Sequence, residues 1–180
     1  MRVYILDADV NTYRGIYYTR KDIVEFNRLF DGRSMRKTWA GTGSFAFIPR
    51  RKPKGDTPGL STHIPIFSVR AVKVLADLLK GHGELLPITC DGEDYLVCNV
   101  TRVIDALDEK ESELDLFDSG RIMNIVRYSF FQDNLARANI FKIPQYVLGR
   151  VFVTAPFVAR VKEANLTGFK FRRVWRSDDE

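Results

Sequence analysis

A strand, a helix, a turn and a second strand recur in the same order in two parts of this chain. Residues 64–88 read IPIFSVRAVKVLADLLKGHGELLPI, and residues 151–175 read VFVTAPFVARVKEANLTGFKFRRVW. In each segment a short apolar run ends at a hydroxyl residue, Ser68 or Thr154, whose oxygen is suited to accept a hydrogen bond from the first free N–H groups of a helix. The repeat therefore predicts two similar strand–helix–strand units.

Both units carry apolar side chains at helical spacing after the hydroxyl residue. These side chains are Ala71, Val74, Leu75 and Leu78 in the first unit and Phe157, Val158 and Val161 in the second. Pro156 falls in the first helical turn, where its missing N–H costs nothing, and Gly81 and Gly168 mark the turns that follow. Neither unit contains a chemical apparatus, so both are interpreted as scaffold.

Strands and helices mix along the rest of the chain without strict alternation. Strands are predicted at 2–6, 15–19, 93–100, 121–131 and, briefly, 140–143. Helices are predicted at 21–30, with Ile23, Phe26, Leu29 and Phe30 on one side, and at 102–110 behind a Thr101 cap. This mixture predicts an α+β fold with a mixed sheet and several short helices.

The length of 180 residues is enough for one compact domain with a substantial core. Residues 1–60 are predicted to form a strand-rich lobe and residues 61–180 an α+β core. The segment 41–62 is rich in Gly, Pro and basic residues, which is typical of a mobile loop or a lobe boundary. No apolar run reaches the roughly 18 residues of a membrane helix, and the N-terminus lacks the basic-then-apolar start of a signal peptide. We therefore expect a cytoplasmic protein without a membrane partner.

The net charge of +5 is distributed unevenly along the chain. Residues 1–60 carry +6, residues 61–120 carry −7 and residues 121–180 carry +6. A protein that mimics DNA would be acidic throughout. The alternation instead favours electrostatic selection of one protein partner over sequence-blind binding of phosphates.

Two charged segments are candidate partner-binding surfaces. The basic one contains Arg50, Arg51, Lys52 and Lys54. It is interpreted first as a solvated face, then as a contact for an acidic protein patch, and third as a nucleic-acid contact with Phe45 and Phe47 stacking on bases. The acidic one contains Asp105, Asp108, Glu109, Glu111 and Glu113. It is interpreted as a solvated helix end or as a partner-binding surface.

Catalytic, cofactor and metal motifs receive little support. The GTGS run at 41–44 lacks the Lys-Ser/Thr ending of a phosphate-binding loop, which favours a plain turn. His63 and His82 are far apart and show no metal-ligand spacing. Cys90 and Cys98 lie in apolar surroundings that favour reduced core residues over a disulfide, a metal pair or a thiol nucleophile. No catalytic residue, metal or cofactor is therefore predicted.

Several short pieces of the chain resemble a known family when they are taken in order. The pieces are IPIFSVRAVKVL, GELLPI, YLVCNVTRVIDALDEKES, IFKIPQ and VFVTAPFVARVKEANLTGFKFRRVW, over about residues 60–175. Phe30-Asp31-Gly32 and Trp39 extend the series upstream. The series resembles the eleventh immunity-protein family in the classification of bacterial polymorphic toxins.

The resemblance implies a protein that is encoded beside a secreted toxin and neutralises it by binding in the producing cell. Such proteins are not enzymes. The resemblance assigns no toxin-binding residue to this chain, and the first 60 residues match least. We therefore expect an immunity protein that blocks one cognate toxin by steric occlusion. The alternative is a small nucleic-acid-binding or regulatory protein that uses the basic N- and C-terminal thirds.

Overall fold

The secondary structure is described from a computed structural model for residues 1–18, 23–39, 45–49 and 51–177. The strands are β1 (Arg2–Ala8), β2 (Ile16–Tyr18), β3 (Phe45–Phe47), β4 (Ile66–Ser68), β5 (Gly83–Cys90), β6 (Glu93–Val100), β7 (Glu113–Leu116), β8 (Ile122–Arg127), β9 (Ile140–Phe141), β10 (Phe152–Thr154) and β11 (Phe169–Arg176). The α-helices are α1 (Ile23–Arg28), α2 (Val69–Leu79) and α3 (Ala155–Glu163). This content confirms the predicted α+β class.

The strands form two main sheets and a separate hairpin. One sheet has the order β11-β1-β10-β9, the other has the order β2-β3-β5-β6-β4, and β7 pairs only with β8. Neighbouring strands are antiparallel except for the parallel pair β3 and β5. β1 and β3 come from the first 60 residues, yet each pairs with strands from the later part of the chain. The division into two lobes stays a prediction.

The predicted repeat is present as two strand–helix–strand units that share one topology. In the first unit β6 lies between β4 and β5, and in the second unit β1 lies between β10 and β11. Each inserted strand is antiparallel to both neighbours. The two strands of each unit are therefore parallel to each other and are joined by a helix that crosses over the inserted strand.

Alternating side chains place cores on both faces of each sheet. Leu6 of β1 and Val153 of β10 pack with α2, α3 and the near face of β6 in a central core. Val3, Ile5 and Phe152 point to the opposite face, where they pack with the segment that contains the hairpin. The period of two in a strand sends neighbouring residues to opposite faces, so one strand serves two cores.

The two predicted helix caps differ in their contacts. The Ala71 N–H donates to Ser68 Oγ (3.0 Å), as expected of a capping serine. Thr154 does not cap α3 with its side chain, because its hydroxyl donates instead to the carbonyl oxygen of Ala138 (2.8 Å). This buried hydroxyl therefore fixes the segment before β9, and the prediction of a Thr154 cap was wrong.

Residues 102–110 do not form the predicted helix, so Thr101 has no helix to cap. The Ile104 N–H donates to the carbonyl oxygen of Lys142 (2.8 Å), and Val103 forms a parallel bridge with Lys142. The Arg102 carbonyl oxygen accepts from the Lys142 N–H (2.9 Å), and a helix over 102–110 would need this acceptor for its own ladder. Tertiary pairing has overridden the local apolar spacing that predicted a helix.

The N-terminal helix and the Gly/Pro-rich segment also differ in detail from the sequence interpretation. α1 ends at Arg28, before the predicted end at residue 30, and although Phe26 and Phe30 are buried, Ile23 and Leu29 are 37% and 48% exposed. In the described part of the 41–62 segment, residues 55–58 are buried. Among the described helices, none is long and apolar enough to cross a membrane.

Candidate partner-binding surface

The basic candidate segment is largely occupied by internal contacts. Lys52 Nζ donates to the Val10 carbonyl oxygen (2.8 Å), and the Lys52 carbonyl oxygen accepts from Arg14 Nε (2.7 Å). Lys54 Nζ pairs with the Glu93 carboxylate and lies 4.8 Å from the Phe47 ring centroid. Arg51 is exposed. Lys52 and Lys54 therefore attach the segment to other parts of the chain.

Other predictions for this segment have different outcomes. Arg50 and the GTGS run at 41–44 lie outside the described residues. Phe45 and Phe47, predicted to stack on bases, are only 5% and 3% exposed because both point into the core of the five-stranded sheet. They have no free ring face to offer to a nucleic acid, so that part of the prediction was wrong.

A buried carboxylate explains why the segment after Lys54 is packed. Asp56 accepts hydrogen bonds from Ser68 Oγ (2.7 Å), Arg70 Nη1 (2.8 Å) and the Thr167 N–H (2.8 Å). Ser68 begins α2, and Thr167 lies in the turn before β11. Asp56 therefore joins the two repeated units, a structural role that the sequence analysis missed.

The acidic candidate segment lines a groove on another part of the surface. Two adjoining depressions, of about 560 and 490 Å³, share Glu109 and Gln145. Asp105, Asp108 and Glu111 line the second depression, and the turn at 144–149 lines the first. We call this continuous feature the acidic groove. It brings together four of the five predicted acidic residues.

Local hydrogen bonds fix the shape of the acidic groove. Asp108 Oδ1 accepts from the backbone N–H groups of Lys110 (3.1 Å) and Glu111 (3.2 Å). Gln145 Nε2 donates to Asp105 Oδ1 (2.8 Å), which ties the two walls together. Asp105 and Asp108 therefore shape the groove, while the exposed Glu109 and Glu111 add negative charge at its surface.

Apolar side chains are exposed in and beside the acidic groove. Phe131 is 50% exposed, Phe117 is 48% exposed and Leu148 is 42% exposed, and all three line the depressions. The β7–β8 hairpin adds Leu116, Met123 and Val126, each about half exposed. A cluster of large apolar side chains rimmed by charge is typical of a protein-binding surface.

Glu113 is the fifth predicted acidic residue, and it is not among the groove-lining residues. It begins β7, is exposed, and lies opposite Arg127 in the hairpin register. The structure therefore separates Glu113 from the other four acidic residues.

A loop beside the acidic groove is fixed from beneath by buried polar side chains, a feature that the sequence analysis missed. The Glu84 carboxylate accepts from Ser34 Oγ (2.5 Å) and from the Met35 N–H (2.8 Å). Asn99 Nδ2 donates to the Arg33 carbonyl oxygen (2.8 Å), and Lys142 Nζ donates to the Phe30 carbonyl oxygen (2.5 Å). We call residues 31–37 the anchored loop.

The anchored loop presents cations outward while its backbone is fixed. The side chains of Arg33 and Arg36 are 86% and 80% exposed, and Lys37 is exposed as well. Asp31 pairs with Arg33 on the loop itself. The loop therefore carries a net positive charge immediately next to a negatively charged groove.

The surroundings lower the pKa of two anchoring groups, which favours the charged form of Glu84 and disfavours the charged form of Lys142. Burial alone would raise the pKa of Glu84, but hydrogen bonds from Ser34, Met35 and Asn99 outweigh it and lower the pKa below 4.5. Burial lowers the pKa of Lys142 from 10.5 to about 8. Among the described residues, no carboxylate lies within ion-pair distance of Lys142, so its charge is poorly compensated.

The cysteines and histidines occupy structural positions. Cys90 and Cys98 are free and buried, and they belong to different cores on opposite faces of one sheet. Burial raises the pKa of each thiol to about 12, which makes a thiolate nucleophile unfavourable. His63 and His82 contact backbone carbonyl oxygens. Within the described ranges, no cluster of three potential metal ligands occurs.

A family match covers the part of the chain that forms the acidic groove. No curated protein matches the chain significantly. Residues 87–176, half of the 180 residues, match the immunity protein family (Imm11). The match includes β6 through β11, the groove, Asn99 and Lys142, whereas the anchored loop and Glu84 lie before it. This chain therefore belongs to the Imm11 immunity protein family.

Proposed function

We propose that this protein binds one cognate secreted toxin in the cytoplasm of the producing bacterium and neutralises it by steric occlusion. Membership of the immunity protein family supports a toxin as the partner. Binding alone is sufficient for occlusion, so the proposal requires no catalytic residue and no cofactor.

We propose the acidic groove as the centre of the toxin-binding surface. The observation that carries this placement is the combination of four carboxylates with three exposed apolar side chains along two adjoining depressions. Stable protein interfaces bury about 1,200–2,000 Å² in total and depend on a few aromatic or arginine anchors surrounded by polar contacts. Phe117, Phe131 and Leu148 supply apolar anchors, and the carboxylates favour a partner with a basic patch.

The basic segment around Arg51 is less suited to be the centre of the interface. Lys52 and Lys54 already make internal hydrogen bonds or ion pairs. A toxin that used these cations would have to replace those contacts, whereas the groove carboxylates Glu109 and Glu111 need no such exchange.

The function is tested by recovering the partner and assaying protection. The tagged chain is purified from the producing cell, and bound proteins are identified by mass spectrometry. We expect one secreted protein in stoichiometric amount, whose isolated toxic domain stops growth unless this chain is co-expressed. Recovery of nucleic acid that dissociates at moderate salt, with no protein partner, would instead support the nucleic-acid alternative.

The placement is tested by reversing charge in the groove. Glu109→Lys together with Glu111→Lys should weaken binding of the recovered toxin domain by about 100-fold or more, because close charge pairs contribute strongly to such interfaces. Asp94→Lys with Glu163→Lys is the matched control, since both residues are exposed and lie outside the groove. Calorimetric titration of both variants measures the effect. Equal affinity of the two variants for the toxin would show that the groove is not the site.

A further inference from the structure

We infer that the anchored loop, residues 31–37, is a second binding element that contacts an acidic patch on the same toxin. The inference rests on the proposed function and adds to it the charge pattern that the toxin must carry. The partner would present neighbouring basic and acidic patches, which face the acidic groove and the anchored loop respectively.

The first argument is the unfavourable free energy of burying the polar side chains that fix this loop. Asn99 and Lys142 are fully buried, and Glu84 is 8% exposed. Within the described residues, Lys142 Nζ donates to a backbone carbonyl oxygen and forms no ion pair, and Asn99 Oδ1 has no hydrogen-bond partner. Burial of poorly compensated polar groups is unfavourable and is often found where a functional site requires it. A loop that merely connected two elements would not need such an arrangement.

The second argument is that fixing the backbone leaves the basic side chains exposed to a partner. Their internal ion pairs lie at the surface, where Arg33 pairs with Asp31 and Arg36 Nε lies 3.9 Å from Glu84 Oε1. The three anchoring side chains bond to Phe30, Arg33, Ser34 and Met35 through backbone atoms or a small hydroxyl. The guanidinium groups of Arg33 and Arg36 remain more than three-quarters exposed. Arginine is enriched among the residues that dominate binding energy, and a preformed backbone reduces the entropy lost on binding.

The third argument is that the loop and the groove are neighbours. Gly32 has a φ of +93°, and a Cβ atom at this position would lie 2.5 Å from Val103 and 3.6 Å from Val147. Val103 is two residues from Asp105, and Val147 itself lines the acidic groove. The close approach at Gly32 therefore places the two charged surfaces side by side, and one partner can contact both.

The opposite charges of the groove and the loop determine the charge pattern that the partner must present. Arg33, Arg36 and Lys37 outnumber Asp31 on the loop, so carboxylates are the complementary groups there. A partner that was basic throughout would be attracted to the carboxylates of the groove but repelled by the cations of the loop. A bipolar surface on the toxin is therefore selected over uniformly charged competitors.

The test uses the toxin domain that co-purifies with the tagged chain as the probe. Arg33→Glu together with Arg36→Glu should weaken binding of the toxin domain by at least about 30-fold, as expected for residues that contribute most of the binding energy. The loss should shrink as salt is raised, because exposed charges are screened. Lys73→Glu with Lys162→Glu is the control, since both lysines are exposed on α2 and α3. We expect this control to stay within about 3-fold of wild type.

Further variants separate binding from folding and separate the two proposals. Arg33→Gln with Arg36→Gln removes the two charges without reversing them and keeps a polar side chain at each position. It should also weaken binding while the melting temperature stays nearly unchanged, because the exposed ion pairs of these arginines contribute little to stability. If both loop variants bind like wild type while the groove variant loses affinity, the inference is wrong and the proposed function stands. If no toxin binds even the wild-type chain, the proposed function itself fails.

Discussion

The acidic groove and the anchored loop are adjacent, but they are stabilised in different ways. The groove is shaped by local bonds, such as those that Asp108 accepts from the backbone N–H groups of Lys110 and Glu111. The loop is shaped by Glu84, Asn99 and Lys142, which are distant in sequence and buried. Local hydrogen bonds stabilise the groove without involving the core, whereas buried polar anchors couple the conformation of the loop to the core. Changes to the loop anchors should therefore affect folding, and changes to the groove should affect binding alone.

Within the two compared surfaces, the largest expected effect on stability is from removal of the Glu84 carboxylate. Glu84→Ala leaves the buried Met35 N–H without its acceptor and removes one of the two acceptors of Asn99 Nδ2, which should lower the free energy of unfolding by about 3 kcal/mol. Urea denaturation measures this change. Glu84→Gln, which keeps one acceptor oxygen, should cost less. A loss below about 0.5 kcal/mol for the alanine variant would show that Glu84 does not anchor the loop.

A second effect concerns the pH dependence that Lys142 confers. Because its pKa is about 8 in the folded chain and ordinarily 10.5, the unfolded chain binds more protons between these values. The contribution of Lys142 to stability should therefore rise from about pH 8 toward pH 10.5 and be constant below pH 8.

The Lys142→Met variant isolates this contribution, because it removes the titrating group and keeps the bulk of the side chain. The unfolding free energy of wild type, minus that of the variant, should increase by roughly 1–3 kcal/mol across the pH window. Denaturant titrations at pH 7, 8, 9 and 10 measure the difference. A difference that is independent of pH would contradict the poorly compensated burial of this lysine.

The smallest expected effect on stability is at the groove. Phe131 is half exposed, so Phe131→Ala should change the unfolding free energy by no more than about 0.5 kcal/mol. The same variant should weaken toxin binding clearly, because it removes a proposed anchor. Phe152→Ala, in the buried core, provides the contrast and should cost about 3–5 kcal/mol. Similar losses for both phenylalanines would show that the exposed ring is a core residue.

The fold was predictable from the sequence where local signals and tertiary packing agree. The two repeated units followed from apolar spacing, hydroxyl residues and glycines, and Gly81 and Gly168 have the positive φ values expected of turn glycines after a helix. The prediction failed at 102–110, where apolar spacing indicated a helix but pairing with the chain near Lys142 prevailed. Local patterns cannot show such competition between distant segments.

The acidic groove was only partly predictable, and the anchored loop was missed. The acidic residues were recognised as a possible surface, but their meeting with Phe131 and Gln145 depends on the fold. A signal for the anchors does exist in the sequence. Glu84 shares the inward phase of Leu86 and Ile88 along β5, and Asn99 lies opposite it in β6. A polar residue in the buried phase of a strand indicates a buried partner, although not which one.

The most direct test of a toxin interface at these two surfaces is hydrogen–deuterium exchange of the chain with and without its toxin domain. We predict slower exchange in the complex for peptides that cover 105–111 and 31–37, with little change in peptides that cover α2. Protection of the segment 51–56 alone, with both proposed surfaces unchanged, would contradict the account.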